Sequence, residues 1–266
     1  MSRLARAARV VSPPLAVFGL FLAGWLAVSY EVLRPDRRFL LPPPQAVVRV
    51  AFLDRANLGE LLRGLWSTTQ VAMVGLLAAT ALGVAFAVAM SQARWVERSF
   101  YPYAVALQTI PILALVPLIG FWFGFNLRSR VLVCLLISVF PIVTNTLFGI
   151  QSAERGLHEL FRLHRAGRLT RLVKLELPGA WPAVVAGLRI AAGLSVIGAI
   201  VGDFFFRQGQ PGIGRLIDLY RARLQSEQLL AAIVLSSLLG LAVFWAFGLL
   251  GRATVAGWRE AGREPS

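Results

Sequence analysis

Residues 159–178 read Glu-Leu-Phe-Arg-Leu-His-Arg-Ala-Gly-Arg-Leu-Thr-Arg-Leu-Val-Lys-Leu-Glu-Leu-Pro and lie between two long apolar stretches. Six of the 27 basic residues fall between Arg155 and Lys174. The segment is too polar to sit in lipid and too apolar along one face to be left in water. It reads as a helical connector between membrane spans, with a face on which something docks.

The stretches on either side set the solvent. The chain has 266 residues, 57% of them hydrophobic and 15% charged, with a mean hydropathy of +0.69. That is more apolar side chain than one water-soluble core of this size buries. Uncharged runs extend over residues 10–30, 64–93, 99–127, 131–153 and 228–251, each long enough to cross about 30 Å of hydrocarbon. A sixth run, residues 177–202, is interrupted only by Arg189, whose stem is expected to reach back to the headgroups from a helix beginning near Trp181. In lipid every backbone polar group must be paired within the segment or in a closed barrel. Continuous apolar runs, not alternating segments of about ten residues, make these helices. The expectation is an all-α polytopic membrane protein forming one domain over residues 1–266. Its six transmembrane helices fall near 10–30, 66–91, 101–122, 130–150, 181–203 and 228–250, and a helical connecting loop occupies 154–178.

Arg3, Arg6 and Arg9 before the first run have the look of a secretory leader, but the apolar part is too long and Ala27-Val28-Ser29 is a poor cleavage site. An uncleaved first helix is expected. Net charge +14 suggests nucleic acid in a soluble chain. Here the basic residues are spread over every connection and 26 of the 27 are Arg, so no nucleic-acid partner is expected. With the N-terminus inside, the inner connections carry 14 basic residues and the outer ones 12, a near tie. The dense cluster at 155–174 favours the cytoplasmic face for that loop, and with it cytoplasmic N- and C-termini. Between the first two spans, Pro42, Pro43 and Pro44 form an extended entry, followed by a surface helix over 45–63.

The chain contains no phosphate-binding Gly-rich loop ending in Lys-Ser or Lys-Thr, and its only lysine is Lys174. ATP hydrolysis is not expected here. His158 and His164 stand six apart and do not share a helix face, so neither a metal nor a cofactor site is predicted. Asp203 and Glu31 are lone acids at span ends without a partner constellation, and no catalytic residue is assigned. Within the spans, Pro111, Pro117 and Pro141 each remove a backbone donor. They mark either a kinked pathway wall or ordinary bundle geometry. Gly198 and Gly202, four apart, allow close helix contact.

Several separate stretches together resemble one family: Phe39-Leu40-Leu41-Pro42, Ile110-Pro111 through Pro117-Leu118, Trp122-Phe123-Gly124, Phe140-Pro141, Leu177-Pro178, Ala186-Gly187-Leu188-Arg189-Ile190 and Gly212-Ile213-Gly214. The family is the membrane permease subunit of binding-protein-dependent bacterial ABC importers. The match is to the branch that handles nitrate, sulfonates, taurine and thiamine-precursor pyrimidines. Its cytoplasmic signature is Glu-Ala-Ala, three residues, Gly, nine residues, then Ile-x-Leu-Pro. Aligned on Pro178, the Glu falls on Glu159, the alanines on Leu160 and Phe161, the Gly on Arg165 and the Leu on Leu177. Ala166 and Gly167 follow the altered glycine, and Gly167 is expected to take the positive φ of the turn.

The resemblance implies a role for loop 154–178. Glu159, Leu160, Phe161, Leu163, Arg165, Ala166, Gly167, Leu177 and Pro178 would couple to a separate cytoplasmic ATPase, with Leu160, Phe161 and Leu163 filling a groove on it. It also implies two copies of that ATPase, a second permease copy in a homodimer, an extracytoplasmic solute-binding protein and the lipid of the bacterial inner membrane. Asp203 would stand at the outer mouth of the pathway. The alternatives are a membrane-embedded enzyme, which needs convergent polar groups that the sequence does not offer, and a secondary transporter, which needs coupling residues inside the spans.

Overall fold

The computed structural model describes residues 3–261, and all its regular elements are helical. In chain order they are α1 (Arg3–Ala27), α2 (Pro44–Val47), α3 (Arg55–Ser91), α4 (Arg94–Thr109), α5 (Ile112–Phe123), α6 (Leu127–Gln151), α7 (Arg155–Leu163), α8 (Arg168–Arg171), α9 (Leu177–Phe205), α10 (Ile213–Ala222) and α11 (Ser226–Ala261). Five helical stretches are long and apolar enough to cross a bilayer, and a sixth is obtained by counting α4 and α5 as one span. The chain divides into two compact units, residues up to 63 with 216–235, and residues 64–215 with 236 onward.

In the first unit the proline-rich entry is fastened to the end of the first span. The Trp25 indole Nε1 donates to the Pro42 carbonyl at 3.0 Å, Gln45 Nε2 donates to the Tyr30 hydroxyl at 2.6 Å, and the Arg38 guanidinium lies 4.9 Å over the Tyr30 ring. The expected surface helix over 45–63 is cut in two. Asp54 is extended (φ −80°, ψ 116°) and its carboxylate accepts from the N–H of Ala56 at 2.8 Å and of Asn57 at 3.3 Å. That is helix-start chemistry, so residues 55–63 become the first turns of the span-length α3. Tyr220 of α10 donates to Glu60 Oε2 at 2.8 Å.

In the second unit α6 and α9 pack backbone to backbone. A Cβ on Gly198 would lie 2.9 Å from the Cys134 Cα, and one on Gly187 would lie 2.8 Å from both the Pro141 carbonyl and the Asn145 Cβ. Gly202 faces the Arg130 Cα, and Gly149 faces Ala180 and Ala183. Helices in lipid lack a hydrophobic drive toward one another, so this close dispersion contact holds the pair. Around it, Leu76 and Ala79 of α3 join Ile142, Ala191 and Ala192 in one buried cluster, and Ala87, Met90, Val143 and Leu147 form another. Large apolar side chains such as Phe148, Trp245 and Leu241 stay exposed, as suits a lipid-facing surface.

Three sequence expectations change. The third span is not continuous: α4 and α5 meet at 100° across Ile110 and Pro111. Pro111 cannot donate to the preceding turn and pushes Ile110 into extended backbone (φ −72°, ψ 123°). Pro117 and Pro141, by contrast, lie inside unbroken helices. Asn145 Nδ2 donates to the Pro141 carbonyl at 2.8 Å, and Thr144 Oγ1 to that of Phe140 at 3.0 Å. The fifth span starts before Trp181: α8, a π-helical turn over Leu172–Glu176 and α9 run together from Arg168 to Phe205. Arg189 is therefore about 18 Å along α9. Its guanidinium does not reach for the headgroups but lies 4.1 Å over the Phe244 ring of α11, where Gly248 leaves it room.

Candidate functional site

Two constellations stand out, the loop after α6 and a polar knot around Asp203. In the loop, α7 carries Leu157, Leu160 and Leu163 exposed, at 40%, 46% and 81%, while Phe161 is half-buried. The exposed apolar face of α7 thus consists of Leu157, Leu160 and Leu163 and leaves Phe161 half-covered. The helix ends in a left-handed turn. The Ala166 N–H donates to the Phe161 carbonyl at 2.9 Å and the Arg165 N–H to that of Arg162 at 3.0 Å, the paired bonds of a Schellman motif. The residue with positive φ is Arg165, at +50°, and not Gly167, which is extended at φ −65°, ψ 163°. The motif fixes the left-handed position directly after the helix cap, His164, so the side chain there must accept the strain whatever its identity.

Beyond the turn, Ala166 and Gly167 lead into α8. Glu176, buried at the foot of α9, takes Arg171 Nε at 2.8 Å and has His158 Nδ1 of α7 at 3.9 Å. Leu177 and Pro178 open α9 within the continuous helical run: the Leu177 N–H donates to the Leu172 carbonyl of the π-turn, and Pro178, without an N–H, donates to no preceding carbonyl. The loop is in this way braced against the fifth span by a carboxylate that the sequence did not single out.

The second constellation corrects the expectation that Asp203 is a lone acid without a partner. Asp203, near the end of α9, and Arg130, in the first turn of α6, form a buried ion pair, 1% and 2% exposed. The Thr68 hydroxyl of α3 donates to the same carboxylate at 2.5 Å and accepts from the Ile213 N–H at 2.8 Å. Arg130 also donates to the Gln210 carbonyl at 3.2 Å, and the Gly214 N–H lies 3.4 Å from Asp203. Gly212 and Gly214 are needed at this approach: a Cβ on the first would overlap the Asp203 carboxylate, and one on the second the Ile200 carbonyl. Sequence reasoning missed Arg130. The available signal was that Arg130 and Asp203 stand at the same end of two antiparallel spans. Among the described residues no group of three His, Cys, Asp or Glu side chains is placed to hold a metal ion.

The chain as a whole is similar to known proteins. Residues 74–255 match the family described as the binding-protein-dependent transport system inner membrane component. The formylaminopyrimidine transport permease protein ThiX of Halalkalibacterium halodurans is 32% identical over 93% of this chain and 96% of its own length. The putative aliphatic sulfonates transport permease protein SsuC of Escherichia coli is 33% identical over 82% of this chain and 78% of its own. In backbone, the permease chain of the MetNI methionine ABC transporter in an inward-facing conformation superposes with a TM-score of 0.63 at 18% identity, covering 75% of this chain and 98% of that one. Helical spans, a braced connector and a family match over most of the chain converge: the protein belongs to the inner-membrane permeases of binding-protein-dependent ABC importers.

Proposed function

We propose that two copies of this chain, as a homodimer, form the translocation pathway of an ATP-driven importer, and that loop 154–178 couples it to a separate cytoplasmic ATPase, one copy per permease. An extracytoplasmic solute-binding protein delivers the substrate, a small solute such as a sulfonate, nitrate or a vitamin-precursor pyrimidine. The chain acts as a single membrane domain of the bacterial inner membrane with both termini cytoplasmic. Glu159, Leu160, Phe161, Leu163, Arg165, Ala166 and Gly167 form the coupling element, and Leu177 and Pro178 join it to the span. Pro111, Pro117, Pro141 and Asp203 shape the pathway.

One observation carries this reading. The apolar face of α7 is exposed, and the loop it opens returns within a few residues to the root of the fifth span, where Arg171 Nε donates to Glu176 at 2.8 Å. A partner that grips Leu160 and Leu163 has a direct mechanical route to α9. The test is cysteine cross-linking from Leu160 and Leu163, with Cys134 replaced by Ser, to a candidate cytoplasmic ATPase subunit, with and without ATP. Nucleotide-dependent cross-links to that ATPase support the coupling role. Their absence, with both proteins folded and associated with the membrane, makes α7 an interfacial lipid-bound helix and removes the coupling role.

A further inference from the structure

Arg189 is a cation inside a span, and the fold supplies it with no anion. Its Nε is buried and donates to nothing, and among the described residues the side chain forms neither a hydrogen bond nor an ion pair. The Phe244 ring, 4.1 Å away, answers part of the charge. A ring face does not replace a counter-ion at hydrocarbon depth. That depth is read from α11, which runs antiparallel to α9: a Cβ on Gly240 would meet Val196, one on Gly248 the Arg189 guanidinium at 3.1 Å, and one on Gly251 the Val185 side chain. Arg189 therefore lies beside Gly248, one helical turn or about 6 Å inside Arg252, which is the first charge after the uncharged run 228–251. The Cα–Cβ bond of Arg252 tilts towards the N-terminus of α11, and so towards Gly248 and the guanidinium beside it. Trp245, Gly248, Leu249 and Arg252 fall on one stripe of α11, at i, i+3, i+4 and i+7, and along it Trp245, Leu249 and Arg252 are exposed. The seam is an apolar track that ends in two cations.

Two cations one turn apart call for an anion. A second copy of this chain has none to offer from its spans, because residues 1–30, 61–96, 98–153, 177–202 and 228–259 contain no Asp or Glu. Water-soluble partners stop at the bilayer surface. The anion native to the level just below that surface is the phosphate of a phospholipid, and a bilayer thins locally around a buried arginine to bring it in. We propose that the α9–α11 seam binds one anionic phospholipid, in the leaflet on the side of loop 154–178. Its phosphate bridges Arg189 and Arg252, and one acyl chain lies along Leu249 and Trp245. The lipid clamps α9, the span into which the loop leads, to α11. This site does not depend on the importer reading.

The test uses the full-length permease, purified in mild detergent and incubated with equal amounts of phosphatidylglycerol and phosphatidylcholine of the same acyl chains. Lipid retained through gel filtration is counted by mass spectrometry. Retention of phosphatidylglycerol is expected at about a 10-fold preference over phosphatidylcholine, whose choline competes with the arginines for the phosphate. Arg252→Gln, at an exposed position, lowers that preference about 5-fold. Arg189→Gln abolishes it, and Arg189→Lys restores part of it. Phe244→Leu removes the ring, keeps both charges and retains the lipid. Equal retention of the two lipids by the parent, or an unchanged preference in Arg252→Gln, overturns the inference whether or not Arg189→Gln folds. Loss of the preference in Phe244→Leu assigns the seam to packing and overturns it as well. Displacement of phosphatidylglycerol by millimolar inorganic phosphate identifies a free-anion site and overturns the lipid assignment.

Discussion

Arg130 and Asp203 form a buried ion pair across 73 residues of sequence, and that pair joins α3, α6, α9 and the Gly212-Ile213-Gly214 turn into one knot. Taking either charge away strands the other in a buried site. Arg130→Gln or Asp203→Asn is expected to cost about 3–5 kcal/mol, while Arg130→Met combined with Asp203→Leu recovers most of the loss. Thermal unfolding of the purified permease in detergent, run as a double-mutant cycle, checks this. Single variants as stable as the double one would show that the pair does not hold the knot.

The strained turn at Arg165 gives a stabilising substitution. Its φ of +50° disfavours any side chain with a Cβ, so Arg165→Gly is expected to stabilise the loop by about 1 kcal/mol and Arg165→Val to destabilise it. Amide hydrogen exchange over residues 161–168 reads the change directly: slower in the glycine variant, faster in the valine one.

Packing between α6 and α9 separates two glycines that look alike in sequence. Gly193 has nothing within 4 Å of an added Cβ, and Gly198 has the Cys134 backbone at 2.9 Å. Gly193→Ala is expected to gain about 0.5–1 kcal/mol from helix propensity. Gly198→Ala is expected to lose about 1–3 kcal/mol by forcing the helices apart. Unfolding midpoints of the two variants in one detergent decide it, and equal effects would refute the close approach.

Tyr220 provides a pH dependence. Burial, and then the Glu60 carboxylate it donates to, push its phenol well above the ordinary tyrosine value of 10.0. The folded state therefore holds this proton more tightly than the unfolded chain does. The stabilisation is complete below pH about 10 and is lost as pH rises beyond it. Titration of tyrosinate absorbance is expected to show one late-titrating tyrosine, which Tyr220→Phe removes together with the alkaline loss of stability.

Much of this molecule is legible in one dimension because a bilayer imposes a one-dimensional rule. A run such as 131–153 without a charge has to be a helix in hydrocarbon, and a basic amphipathic stretch such as 155–174 has to leave it. The loop helix spans Arg155–Leu163. Its end was legible as a turn, but the strained residue was not. Local sequence favours Gly167 as the flexible position, whereas the bonds from Ala166 and Arg165 back to Phe161 and Arg162 set the left-handed site by counting from the helix cap.

What the sequence by itself determined was the solvent, the helical class, the connector and the family, all of which depend on composition and on short local patterns along the chain. Only the tertiary structure decided the partner of Asp203, the stacking of Arg189 on Phe244, the depth of the break at Pro111 and the face that α7 leaves free. Each of these depends on which end of one helix meets which end of another, and charge pairing, ring stacking and backbone contact act through distances of a few ångströms that no spacing along the chain encodes.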